Sequence, residues 1–178
     1  MKNYYKNLKL LTNRHVYSKE MEHDACGVGV IVSTEGKKSR EIVEHGIEAL
    51  KAVWHRGAVD ADGKTGDGAG IHVEIPKDFF IEKIEVTGHD YDNAEICVGM
   101  IFLPRNDYSA QESCKTIVES ELTKNNFSIY GWRQVPVNPK ILGEKALQTM
   151  PEIIQVLFKS NDENLLDKDL ERKIYETR

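Results

Sequence analysis

One apolar run restricts the folds open to this chain more than any other feature. Residues 95–104, EICVGMIFLP, are apolar almost without interruption. A run of this length and composition is typical of a strand buried on both faces. Such a strand needs cover from two layers, so the chain should form a layered α/β or α+β domain. Its 178 residues are enough to bury a core of that kind.

Other segments supply the elements that such layers require. Strands are predicted at CGVGVIVS, IHVEI, FSIYGWRQVPV and EIIQVLFKS. Helices are predicted at SREIVEHGIEALKAVWHRG, PKDFFIEK, SAQESCKTIVESELTKNN and ENLLDKDLERKIYETR. The first should be capped by Ser39 and end near Gly57, and the second has Pro76 near its first turn. The third begins with a Ser109…Glu112 capping box. Residues 1–25 are polar and show no clear period. Periodicity alone leaves α/β and α+β both open.

Composition excludes several classes of function. The net charge of −5 argues against a nucleic-acid-binding surface, which needs clustered Lys and Arg. No segment approaches the length of a membrane-spanning apolar run, and the polar start of the chain lacks the apolar core of a secretory signal. The three cysteines include no C-x-x-C pair, so we expect neither a disulfide framework nor a metal site built from this chain alone. A reducing cytoplasm is the simplest setting.

Cys26, in the stretch HDACGVGVIV, has two possible roles. A lone cysteine is usually a small buried core residue, and Cys97 and Cys114 fit that interpretation. Gly27 and Gly29 beside Cys26 weaken a strand and therefore need a reason, such as the close approach of a ligand. A nucleophile flanked by residues without side chains is one such arrangement. The residues alone leave both interpretations open.

A second unusual stretch is HRGAVDADGKTGDGAG, residues 55–70. It follows a predicted helix and leads into a strand, which is the reverse of a phosphate-binding loop. The spacing of Asp60, Asp62 and Asp67 does not match a calcium loop either. Arg56 remains as a candidate, because its guanidinium can bind a carboxylate through two hydrogen bonds. It can equally be a solvated cation at a helix end.

Read together, these stretches resemble a known family. DACGVGVIV, followed by LKAVWHRGAVDADGKTGDGAGIHVEIP, is similar to the start of the large subunits of glutamate synthases. Further matching segments are VGMIFLPR, AQESCKTIVESEL, YGWRQVPVNPKILGEKALQTMPEIIQVLF and ERKIYETR. The resemblance runs from about residue 20 to the end of the chain, as an ordered series of motifs.

The resemblance implies a class II glutamine amidotransferase domain of the N-terminal-nucleophile type. Its fold is of the α+β class, a four-layer αββα sandwich of two antiparallel sheets, of which this chain would hold a part. Residues 1–25 would be a propeptide and residues 26–178 the first part of the domain. Cleavage between Ala25 and Cys26 would make Cys26 the catalytic N-terminal residue.

The resemblance also assigns the residues expected to surround glutamine. Arg56 would bind its α-carboxylate, and Gly27 would lie beside the substrate. The loop made by His55, Gly57, Asp67 and Gly68 would border the same site. An Asn–Gly pair that forms the oxyanion hole is expected outside this chain, so the active site would be incomplete here. The chain is therefore expected to be a fragment of a longer protein.

In the whole family enzyme, ammonia from glutamine reaches 2-oxoglutarate and glutamate is formed. FMN and a 3Fe–4S cluster are implied there, with NADPH or ferredoxin as electron donor and a small (beta) subunit or ferredoxin as partner. No ligand of these groups is expected within this chain. Two alternatives stay open: another class II glutamine amidotransferase with a different acceptor, and an unprocessed, non-catalytic fragment.

Overall fold

The computed structural model shows a chain of mixed helices and strands. It describes residues 2–14, 27–53, 57, 59–66, 68–162, 165 and 167–178. The chain divides into two compact units, Met1–His55 and Arg56–Arg178. Helices and an antiparallel sheet in one chain agree with the α+β class that the resemblance implied.

The first unit contains two described helices. Helix α1 spans Lys2–Asn13, in a region where the sequence showed no clear period. Helix α2 spans Arg40–Ala52 and begins as predicted, because Oγ of Ser39 accepts a hydrogen bond from the backbone N–H of Ile42 at 3.4 Å. Helix α2 ends at Ala52, several residues before Gly57, where the sequence placed its end.

The second unit is built around one sheet. Its elements in chain order are α3 (Lys77–Val86), β1 (Cys97–Leu103), α4 (Tyr108–Lys124), β2 (Phe127–Gln134), a 3-10 turn (Pro139–Ile141), α5 (Glu144–Thr149), β3 (Glu152–Ser160) and α6 (Asp167–Thr177). The three strands pair antiparallel in the order β1-β3-β2. The strands predicted at these three places are confirmed, and so are α3, α4 and α6.

Helices cover this sheet on both faces. On one face, Leu157 of β3 packs with Phe80 and Ile84 of α3. On the opposite face, Val156 and Phe158 pack with residues of α4 and α6: Leu122, Val118, Leu170 and Ile174. Alternate residues of the central strand thus enter different clusters, because successive side chains of a strand point to opposite faces. β3 is accordingly buried from Ile154 to Phe158.

The prediction that EICVGMIFLP is buried on both faces is only partly correct. Cys97 and Leu103 at the ends of β1 are buried, but Met100 is 48% exposed and Phe102 is 62% exposed. β1 is an edge strand, and Val98 packs against the cluster that contains Phe80 and Ile84 of α3, whereas Met100 and Phe102 belong to neither cluster. The described part of the chain therefore leaves this end of the face uncovered.

Two further predicted strands are wrong in this structure. Residues 27–33, from the stretch CGVGVIVS, and residues 71–75, IHVEI, have no regular secondary structure. Val28 is 90% exposed and Val30 is 82% exposed. A strand requires a neighbour for its backbone N–H and C=O groups, and no described strand pairs with either segment. The apolar pattern of each segment does not show whether such a neighbour is present.

The predicted capping box of α4 is also wrong. The helix begins at Tyr108, one residue before Ser109, and Asp107 is its N-cap. Oδ1 of Asp107 accepts a hydrogen bond from the backbone N–H of Ala110 at 2.9 Å. Asp and Ser are both good N-caps, and the stretch NDYSAQE offers both, so the sequence did not distinguish them.

Candidate functional site

The residues that the sequence singled out are only partly described. Ala25, Cys26, His55, Arg56 and Asp67 lie outside the described residues. Gly27, Gly57 and Gly68 are described, and all three are exposed. The structure does describe the segments that follow Cys26 and Arg56 in the chain, residues 27–33 and 59–66.

In the segment after Cys26, open space lies beside Gly27 and Gly29 at the positions where side chains would begin. A methyl group added at Gly27 or Gly29 would meet no described atom within 4 Å. Packing within the described structure therefore gives no reason for glycine at these two positions. The reason suggested from the sequence, room for a ligand beside Cys26, stays a prediction.

The segment after Arg56 forms a tight turn over residues 59–66. Val59 and Gly66 pair as an isolated antiparallel bridge. Inside the bridge, the backbone N–H of Asp60 donates to the carbonyl oxygen of Thr65 at 2.7 Å. The backbone N–H of Gly63 donates to the carbonyl oxygen of Asp60 at 2.9 Å. Gly63 has φ of +69°, a conformation that glycine adopts without steric cost.

Asp62 stabilises this turn from within. Its Oδ1 accepts hydrogen bonds from the backbone N–H groups of Lys64 at 2.9 Å and Thr65 at 2.7 Å. Its Oδ2 accepts from the hydroxyl of Thr65 at 2.5 Å. The hydroxyl and backbone N–H of Thr65, followed by the N–H of Lys64, hold the pKa of Asp62 well below its usual range. The carboxylate is therefore ionised at neutral pH.

The same turn contacts a segment far along the chain. Nζ of Lys145, in α5, donates to Oδ2 of Asp60 at 2.7 Å, although the two residues are 85 positions apart. The backbone N–H of Lys145 also lowers the pKa of Asp62. The turn that follows Arg56 is thus fixed both internally and to the start of α5. The sequence interpretation weighed Asp60 and Asp62 only as calcium ligands and missed this role.

The remaining cysteines do not resemble nucleophiles. Cys97 is 4% exposed, and burial raises the pKa of its thiol to about 12, with Glu95 adding to the shift. A thiol of that kind stays protonated and unreactive at neutral pH. Cys114 on α4 is half-buried. The interpretation of Cys97 as a core residue is confirmed, and Cys114 is only partly in the core.

A polar cluster that the sequence did not indicate lies beside the sheet. The hydroxyl of Tyr130 donates to Oδ1 of Asp92 at 2.5 Å, and Lys159 donates to Oδ2. These hydrogen bonds, Lys159 first, lower the pKa of Asp92 to about 2. An open groove of about 540 Å³ adjoins Asp92 and Lys159. Gly27, Gly57 and Gly68, the described residues among those predicted for the glutamine site, do not line it.

Neither a metal-binding cluster nor a membrane-spanning helix occurs among the described residues. Among the described residues, no set of three or more His, Cys, Asp and Glu side chains lies close enough to hold a metal ion. None of the described helices has the length and apolar character needed to cross a membrane.

Comparison with known proteins identifies the family. The sequence profile of the class II glutamine amidotransferases matches residues 26–178. The chain is 53% identical over 169 residues to the glutamate synthase [NADPH] large chain of Azospirillum brasilense, covering 95% of this chain and 11% of that protein. It is 41% identical over 155 residues to ferredoxin-dependent glutamate synthase 1 of Arabidopsis thaliana, covering 86% of this chain and 9% of that protein.

A third relative is the ferredoxin-dependent glutamate synthase of Pyropia yezoensis, 38% identical over 168 residues, which cover 94% of this chain and 11% of that protein. The chain thus spans about a tenth of the length of these relatives. The family profile covers most of the chain and begins at Cys26, the first residue of the CGVGV stretch. This chain belongs to the class II glutamine amidotransferase family.

Proposed function

We propose that this chain is the first part of the glutaminase domain of a glutamate synthase large subunit. One observation carries the proposal. The family match begins at Cys26, and the relatives that align with nearly the whole chain are named glutamate synthases. Residues 1–25 would be a propeptide and residues 26–178 the start of the mature domain, with cleavage between Ala25 and Cys26.

The reaction proposed for this domain is hydrolysis of the glutamine side-chain amide. After cleavage, Cys26 carries a free α-amino group whose reference pKa of about 7.7–8.0 lies near neutral pH. This amine would take the thiol proton, as the terminal amine of N-terminal threonine enzymes does. The thiolate would then attack the amide carbon. The C–N bond would break as the protonated amine gives the proton to the leaving nitrogen, which departs as ammonia. Water would hydrolyse the resulting thioester to glutamate.

The residues proposed to bind or border glutamine are those that the resemblance assigned. Arg56 would bind the α-carboxylate through two hydrogen bonds. The open backbone at Gly27 would leave room for the substrate beside Cys26. His55, Gly57, Asp67 and Gly68 would border the site, and none of them is proposed as a metal ligand.

In the complete protein the ammonia would add to 2-oxoglutarate, and reduction of the product would give a second glutamate. NADPH or ferredoxin would supply the electrons, and FMN and a 3Fe–4S cluster are the groups expected to carry them. A small (beta) subunit or ferredoxin would be the protein partner, and the cytoplasm the expected location. No described residue is assigned to these groups.

The fold proposed for the complete domain is the four-layer αββα sandwich. Two features of the described structure support it. Met100 and Phe102 leave an apolar area exposed on one face of the sheet. Residues 28–32 and 71–75 have strand-forming sequences, VGVIV and IHVEI, but belong to no sheet. A second sheet could include residues 28–32 and 71–75 as strands and would cover Met100 and Phe102.

The proposed function is tested by measuring ammonia release from glutamine. The protein should be expressed from its complete gene, with Cys26→Ala as the test variant and Cys114→Ala as the control. We expect Cys26→Ala to abolish glutaminase activity and Cys114→Ala to retain it, because only the former loses the nucleophile. Glutaminase activity in Cys26→Ala would refute the proposal.

A further inference from the structure

The turn at residues 59–66 packs against Gly143, where the turn leaves no room for a side chain. Gly143 is buried and immediately precedes α5. A methyl group added there would lie within 3.0 Å of the hydroxyl and backbone N–H of Thr65 and of Oδ2 of Asp62. These are the same groups through which Asp62 holds the turn together. The turn therefore packs directly against the backbone of Gly143.

The glycine is required by this contact and not by its own backbone. Gly143 has φ of −72° and ψ of 165°, values that alanine adopts readily. Only the approach of Asp62 and Thr65 excludes a larger residue. Gly143 is also the N-cap of α5 and supplies no side-chain acceptor of its own.

We infer that Asp62 and Gly143 are positioning residues for glutamine, because together they fix the turn that follows Arg56 in the chain. This inference rests on the proposed function, in which Arg56 binds the α-carboxylate of the substrate. Only residues 57 and 58 separate Arg56 from the turn. Neither Asp62 nor Gly143 is proposed to contact glutamine.

A positioning role of this kind has a distinct kinetic consequence. The α-carboxylate does not change charge when the side-chain amide reacts, so its binding is equal in the ground state and in the transition state. Loss of such uniform binding raises KM and leaves kcat unchanged. A general loss of folded protein would instead lower the apparent kcat without changing KM.

The test uses the protein expressed from its complete gene, with glutaminase kinetics and thermal unfolding measured for each variant. Asp62→Asn removes the charge and keeps the shape, and Gly143→Ala blocks the same contact from the opposite segment. Asp107→Asn is the matched control, since Asp107 also accepts a backbone N–H, at the start of α4. Arg56→Lys tests the binding role on which the inference rests.

We expect Asp62→Asn and Gly143→Ala each to raise the KM for glutamine about tenfold with kcat within about twofold of wild type. Both variants act on the same contact, the one between the turn and Gly143. The double variant should therefore not multiply their effects on KM. Asp107→Asn should leave KM within about twofold of wild type, whatever its melting temperature.

Several results would overturn the inference. They are an unchanged KM in Asp62→Asn and Gly143→Ala, an equal rise in Asp107→Asn, or multiplied effects in the double variant. If Arg56→Lys raises KM and Asp62→Asn does not, the positioning role alone is refuted. If Arg56→Lys leaves KM unchanged, the proposed role of Arg56 is refuted as well.

Discussion

Tyr130 and Asp92 form a short hydrogen bond, 2.5 Å from the phenol oxygen to Oδ1, at a point where the sheet meets the segment before β1. Lys159 donates to the second oxygen of the same carboxylate, and its ammonium also lies 5.7 Å from the centre of the Tyr130 ring. The arrangement joins β2, β3 and the preceding loop through one carboxylate. It contributes to stability, because its members are separated in sequence and meet only in the folded chain.

The first prediction concerns acid stability. The pKa of Asp92 falls from 3.8 to about 2 in the folded chain, first because of Lys159 and then because of Tyr130. A depressed pKa contributes stability that is present above the unfolded value and is lost as the pH falls through the folded value. We therefore expect part of the stability to be lost between about pH 4 and pH 2. Urea unfolding of Asp92→Asn should show a smaller loss over this interval; parallel curves would contradict the prediction.

The second prediction concerns the Tyr130 hydroxyl. Burial and the hydrogen bond to Asp92 raise the pKa of Tyr130, so the phenol is neutral and donates at pH 7. Tyr130→Phe should lower the free energy of unfolding by about 1.5–3 kcal/mol, the usual value of a hydrogen bond to a charged group. Tyr108→Phe is the control, because Tyr108 is 78% exposed. Equal unfolding free energies for the two variants would show that the bond contributes nothing.

The third prediction concerns Gly131, which follows a bulge in β2. Its φ is +149°, and a methyl group added there would lie 2.8 Å from Cγ2 of Thr87. Thr87 cannot move freely, since its hydroxyl contacts the carbonyl oxygen of Tyr130 at 2.8 Å. Gly131→Ala should therefore cost about 2 kcal/mol or more. Gly70→Ala, where added atoms meet open space, should be close to neutral in the same urea titration.

The fourth prediction separates the three cysteines by reactivity. Cys97 is buried and its pKa is raised to about 12, whereas Cys26 is proposed to carry an activated thiol. Iodoacetamide at pH 7, followed by peptide mass spectrometry of the native protein, should therefore modify Cys26 first and Cys97 last. Modification of Cys97 as fast as Cys26 would contradict this order.

Local signals in the sequence predicted those parts of the fold that depend on local forces. Ser39 caps α2 as expected, and β2 and β3 occur where apolar runs lie between turn residues. Residues 27–33 and 71–75 were predicted as strands but form none in this structure, because a strand also needs a paired neighbour, which the sequence of a segment does not show. The exposure of Phe102 likewise depends on which elements pack over β1, and the sequence of β1 does not show that.

In the candidate site, too, local structure was predicted from the sequence and contacts between distant residues were not. The resemblance implied a loop in this part of the chain, and the structure has a turn at residues 59–66. Its contact with Gly143 could not be predicted, because nothing near Gly143 in the sequence indicates what approaches it. The resemblance assigned Cys26 and Arg56 directly, without any structural information, and their roles stay predictions.

The central claim is that cleavage before Cys26 creates the catalyst. Intact-mass spectrometry of the protein expressed from its complete gene, combined with a glutaminase assay on the same sample, tests it most directly. The account predicts a mature chain that begins at Cys26 and hydrolyses glutamine. A chain that begins at Met1 or Lys2 and hydrolyses glutamine at a comparable rate would contradict it, because the nitrogen of Cys26 would then be an amide that cannot accept the thiol proton.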